Sequence, residues 1–138
     1  MKTMKFTISN EVEVTEEMVK DLIRCGFEGD VEDWLNVLRY KYPNGFTRKD
    51  VDYPWIDLPF LEDGGVVCED REKNMVFKNT VLNLNSIKYG LSLLMSGMDK
   101  DGKDLQPRHR NNFLNENANA ETGDVFLQLC LLGEIVFG

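Results

Sequence analysis

The sequence predicts an α+β domain with an antiparallel sheet packed against several helices. Two observations carry this expectation. The strands come as one N-terminal alternating stretch and one tight central hairpin, and the helices are grouped in runs of two and three. A doubly wound parallel sheet would instead alternate strand and helix along the chain.

Residues 4–14 alternate strictly. Met4, Phe6, Ile8, Val12 and Val14 fall on one side, and Lys5, Thr7, Ser9, Glu11 and Glu13 on the other, the period of a half-buried strand that bends or turns near Ser9-Asn10. Thr15 is placed to cap a helix with Glu16 and Glu17 in its first turn and Met18, Val19, Leu22 and Ile23 as its stripe, with Gly26 as its stop. Asp30 reads as the next N-cap, because Val31, Trp34, Leu35 and Leu38 follow at helical spacing. From Tyr42 to Pro59 the chain reads as a loop rich in large rings, either packed or part of a contact surface.

Gly64-Gly65 opens a strand over 66–69, and the charged turn 70–73 leads to a second strand over 75–82. Asn83 then caps a helix striped by Leu84, Ile87, Leu91 and Leu94 and closed by Gly97. Pro107 starts a short helix through Asn117, and Thr122–Gly133 reads as a helix apolar on nearly all sides, hence buried. Ile135-Val136-Phe137 forms an extended apolar end.

The 138 residues carry a net charge of −8, with 42% hydrophobic and 29% charged side chains, the composition of one globular domain over 1–138. Such a charge argues against direct nucleic-acid binding by a protein that neutralises phosphates over a broad face. Residues 1–63 hold 14 acidic against 8 basic side chains, either a solvated face or a surface for a basic protein groove. The start of the chain lacks the apolar core of a signal peptide, and the longest apolar block, 129–132, is far below the ~20 residues that span a bilayer. No membrane partner and a cytoplasmic location are therefore expected. Cys25, Cys68 and Cys130, odd in number and widely spaced, fit reduced thiols, and without a CxxC or HxxxH clamp no metal is expected.

Asp99-Lys-Asp-Gly-Lys-Asp104 has the look of a calcium loop. Against a loop starting at Asp99, however, Lys103 falls at position 5, Asp104 at the glycine position and Arg110 at the bidentate glutamate position, so a polar turn is expected. The single histidine, His109, sits between Arg108 and Arg110 with no neighbouring carboxylate to orient it. There is no GxSxG, Walker A or GxGxxG motif, and neither catalysis nor a cofactor is expected. Arg108-His109-Arg110 at a helix start is the candidate ligand site, since two guanidiniums beside free N–H groups suit a phosphate or carboxylate. Its alternative is a surface salt-bridge cluster with Asp101, Asp104 or Glu116. Trp34 reads as core. Trp55, in a loop between prolines, is the aromatic expected to meet a ligand or subunit.

The C-terminal run Thr122-Gly-Asp-Val-Phe-Leu-Gln-Leu-Cys-Leu-Leu-Gly-Glu-Ile-Val-Phe-Gly138 resembles the ending of a family of small proteins from phages and prophages of gut bacteria. Val14-Thr15-Glu16-Glu17, Glu28-Gly29, Trp34, Gly64-Gly65 and Lys88-Tyr89-Gly90-Leu91 follow that family's pattern in order. The layout is also similar to that of Thoeris anti-defence sponges, oligomers that sequester cyclic ADP-ribose signals. This resemblance implies a non-enzymatic phage anti-defence protein acting in the infected bacterial host. Its partner would be a small anionic nucleotide, with Arg108 and Arg110 on the diphosphate, His109 beside them and Trp55 as a candidate ring for the base. The alternative is an anti-CRISPR-like inhibitor that engages a host defence protein through its acidic surface; a third is a phage assembly protein. The apolar end beside an already apolar helix further implies a homo-oligomer.

Overall fold

A computed structural model describes residues 5–9, 12–29, 31–71 and 77–137. Two strands, β1 (Lys5–Ser9) and β2 (Val12–Thr15), pair antiparallel as a hairpin of their own. A second sheet holds β3 (Leu35–Lys41), β4 (Gly65–Asp70) and β5 (Val81–Leu82), antiparallel throughout and in that order. The helices are α1 (Glu16–Glu28), α2 (Pro54–Asp57), α3 (Leu84–Ser96), α4 (Pro107–Leu114) and α5 (Ala120–Leu131). The protein is α+β. Within that class, the N-terminal strand does not join the central sheet.

Helix α5 is the centre of the molecule. Every residue from Thr122 to Leu131 except Asp124 is buried, as expected of a helix apolar on nearly all sides. It is capped by Asn119, whose Oδ1 accepts from the Thr122 N–H at 2.8 Å. α1 and α3 lie against it, and Val66, Cys68 and Leu82 of the sheet close the same core with Leu22, Ile87 and Leu127. α3 follows its sequence signals closely: Asn83 and Ser86 form a reciprocal capping box, and Gly97 ends the helix at φ +76°. Among the described residues no helix is long and apolar enough to cross a membrane.

Three expectations are corrected. The stripe Val31, Trp34, Leu35, Leu38 is not a helix: Val31–Asp33 make one 3-10 turn and Leu35 begins β3. Tertiary pairing overrides the helical spacing here, because β4 turns Val66, Cys68 and Asp70 inward and takes a strand on each side. The proposed cap, Asp30, lies outside the described residues. Helix α1 also runs through Gly26, which sits at a helix crossing and not at a stop: a Cβ there would come within 2.8 Å of the Gly123 carbonyl oxygen. Finally, the partner strand of β4 is short. Its expected start, residues 75–76, lies outside the described residues, and 77–80 are not strand. Asn79 instead donates its N–H to the Leu131 carbonyl and its Nδ2 to that of Cys130, at 3.0 and 2.8 Å.

The ring-rich loop divides in two. Val51, Pro54, Ile56, Leu58, Pro59 and Phe60 are buried around α2 and a 3-10 turn over Leu58–Phe60, whereas residues 44–50 are exposed. All three thiols are free. Burial in the sheet pushes the Cys68 thiol up to about 12, so it stays protonated and unreactive at neutral pH.

Candidate functional site

The first turns of α4 and α5 are tied together through polar side chains. The Arg108 guanidinium forms an ion pair with Glu121, the residue just inside α5. His109 is 3% exposed, with Nδ1 3.1 Å from Thr122 Oγ1 and Nε2 3.6 Å from Glu121. Asn112 Nδ2 donates to the same hydroxyl at 3.1 Å. One arrangement satisfies the hydroxyl and Nδ1: the Thr122 hydroxyl donates to Nδ1 while accepting from Asn112, which leaves the Nε2–H facing Glu121. Arg108 is salt-bridged, but to Glu121, thirteen residues away, and not to the expected Asp101, Asp104 or Glu116. A carboxylate does face His109, contrary to the expectation drawn from its immediate neighbours.

Burial holds the His109 imidazole below its ordinary value; Glu121 pulls it up and Arg108 pulls it down, but burial dominates. A lowered pKa in the folded state means that the unfolded chain takes up the proton first. Stability from this group is therefore intact above about pH 6.5 and falls as the pH drops toward the folded value. Melting temperature should decline between pH 7.5 and 5.5 more steeply in the wild type than in His109→Gln. Parallel declines would remove His109 from the acid response.

Thr122, His109 and Glu121 have the connectivity of a hydroxyl–imidazole–carboxylate relay. Thr122 is fully buried, however, and its hydroxyl already has two partners, so no reacting atom can reach it.

Arg108, His109 and Glu121 form one wall of a cavity of about 730 Å³. Its floor holds Trp34 and Phe137, stacked at 5.3 Å between centroids with 11° between planes. Trp34 Nε1 donates to Asp124 Oδ1 at 2.8 Å. Gln128, buried in the otherwise apolar α5, positions the ring of Phe137. Its Oε1 accepts from the N–H groups of Val136 and Phe137 at 2.8 and 2.9 Å, and its Nε2 donates to the Phe137 carbonyl and to Asp124 at 3.0 and 3.1 Å. Every hydrogen-bonding position of the amide is used. Phe137 is thus partly buried within the protomer, and Ile135 and Val136 of the apolar end are exposed.

Around the cavity stand the carboxylates of Asp33, Asp99, Asp104, Glu121 and Asp124, against the cations Lys103 and Arg108. Asp99 is committed to its own turn, accepting from the N–H groups of Asp101 and Lys103 at 2.9 Å each. Among the described residues no three His, Cys, Asp or Glu are grouped to hold a metal ion.

The sequence-predicted site residues do not converge. Arg108 and His109 line the cavity, but Arg110, two residues along the helix, faces a separate hollow of about 380 Å³ beside Leu94 and Gly97. Trp55 is on α2, edge-on to Phe27 at 5.4 Å, and is not part of the cavity wall. The residues that sequence reasoning missed are Glu121, Asp124 and Gln128. Gln128 did leave a signal, being the lone uncharged amide in an apolar helix. Comparison of the chain with protein-family models, with curated proteins and with solved structures finds no match in any of the three.

Proposed function

We infer that the protein is a non-catalytic binding protein whose cavity beside α4 and α5 takes a basic segment of a protein partner. The observation that carries this reading is the charge at the rim: five carboxylates face two cations, and Arg108 is already paired with Glu121. A lysine or arginine side chain entering the cavity would meet those carboxylates, with the half-buried ring of Phe137 beneath it. An inhibitor that engages a host defence protein directly, the alternative offered by the sequence, would use this chemistry. The absence of catalysis in this reading rests on the occupied, inaccessible Thr122 hydroxyl.

A second reading, sequestration of a cyclic nucleotide of the cyclic ADP-ribose type, draws on two observations. The volume lies within the range of about 300–1,000 Å³ common for small-molecule sites, and Arg108 stands on the rim.

Calorimetric titration with Arg/Lys-rich peptides and with cyclic ADP-ribose separates the two. The basic peptides should bind, more weakly at high salt. Replacing Asp33 and Asp104 together by Asn should lower their affinity roughly threefold to thirtyfold, the worth of two exposed ion pairs. Binding of the nucleotide but not of the peptides, lost in Arg108→Ala, would replace the first reading by the second.

A further inference from the structure

From Asn36 to Lys49 the chain carries Arg39, Lys41, Arg48 and Lys49 and not one Asp or Glu, in a protein whose net charge is −8. Three rings, Tyr40, Tyr42 and Phe46, are interleaved with these cations. The structure makes this stretch an outer surface. β3 is the edge strand of its sheet, and from Leu38 to Lys41 every residue is exposed, so neither face of the strand end is covered. Leu38, Tyr40 and Phe46 are 51%, 38% and 41% exposed.

The charges there are unspent. The cross-strand neighbours of Arg39 and Lys41 are Val67 and Gly65, neither of them acidic. None of the four cations makes an ion pair with a described residue, whereas Lys20, Arg24, Lys100 and Arg108 all do. Arg48 is held in place by donating Nη1 to the Val51 carbonyl at 2.7 Å. Arg39 and Lys41 lie about 7 Å apart along the strand and point to the same side.

We propose that this strip, β3 and the loop through Lys49, binds single-stranded nucleic acid, its cations on the phosphates and the Tyr40, Tyr42 and Phe46 rings against bases. Charge complementarity selects a polyanion. The exposed Tyr40 and Phe46 rings, with the half-buried Tyr42, select among polyanions, because a base offers a π-face and an acidic peptide does not. The acidic composition does not exclude this, since a single strand needs a narrow track of cations and not a broad basic face. None of these residues lines the cavity beside α4 and α5, so this surface stands or falls apart from the function proposed above.

The test is fluorescence anisotropy of labelled 15-mers, dT for DNA and rU for RNA, titrated with the whole protein. Half-saturation is expected on the order of 10 µM at 50 mM NaCl for one or both strands, with a log–log salt slope of roughly −3 for four phosphate contacts. Arg39→Glu with Lys41→Glu should lower affinity about tenfold or more and flatten the slope to roughly half. Tyr40→Ala should weaken binding about fivefold or more while leaving the slope in place. Each variant's melting temperature is measured alongside, and Arg39→Ala with Lys41→Ala replaces the reversal if that unfolds. The proposal is overturned by no binding at about 100 µM, by affinity unchanged in a folded double variant, by a 15-base-pair duplex binding as well as the single strands, or by polyglutamate competing as well as unlabelled dT.

Discussion

Gly123→Ala is expected to lower the melting temperature by about 10 °C, a loss of roughly 3 kcal/mol at this chain length. A Cβ at position 123 would lie 2.6 Å from the Leu22 carbonyl oxygen and 2.7 Å from the Gly26 Cα, both backbone atoms of α1. No rotamer change can relieve that contact, so α1 and α5 would have to separate and loosen the packing of Leu22, Ile23 and Leu127. Alanine's helix preference returns about 1 kcal/mol, which is too little to reverse the sign. Gly26→Ala should act in the same direction, since its Cβ would meet the Gly123 carbonyl carbon at 2.9 Å. Thermal melts monitored by circular dichroism decide the matter. A melting temperature unchanged or raised in Gly123→Ala would mean that the helices do not cross at these glycines.

The second large effect is expected at Trp34. The side chain is 2% exposed, stacked on Phe137, tilted against Phe77 at 6.3 Å and bonded to Asp124. Trp34→Ala removes all of these and should destabilise the fold by about 3–5 kcal/mol. Trp34→Phe keeps a ring on Phe137 but removes one donor from the Asp124 carboxylate, which retains Gln128, so about 1–3 kcal/mol is expected. Urea unfolding of both variants measures the difference. A loss below about 1 kcal/mol for Trp34→Ala would place the indole outside the core.

Where local chemistry decides the conformation, the sequence was legible. Thr15 accepts from the Met18 N–H at 3.3 Å, Asn83 and Gly97 bound α3, and the stretch from Thr122, apolar on nearly all sides, is the central buried helix. Where a distant partner decides, it was not. Leu35–Lys41 is a strand because β4 is there to pair with it, and Gly26 lies inside a helix because Gly123 faces it. The candidate site was only partly legible for the same reason. Arg108 and Arg110 are neighbours in sequence but point to different hollows, and the group that neutralises Arg108 arrives on another helix. Charge summed over residues 1–63 also concealed the basic strip at 36–49, because acidic helices on either side outweigh it.

The glycine crossing also sets the order in which this chain can fold. α1 and α5 come from near opposite ends of the described sequence, so the glycine crossing is one of the most non-local contacts of the described residues. Closing so long a loop is entropically slow, and little stabilisation returns until it closes. Until then Val19, Leu22 and Ile23 of α1 lack the α5 part of their cover, and that side of the helix is exposed in the nascent chain. Docking of α1 on α5 should therefore come late in folding, after the more local β3–β4 pairing and the packing of α3 on α5.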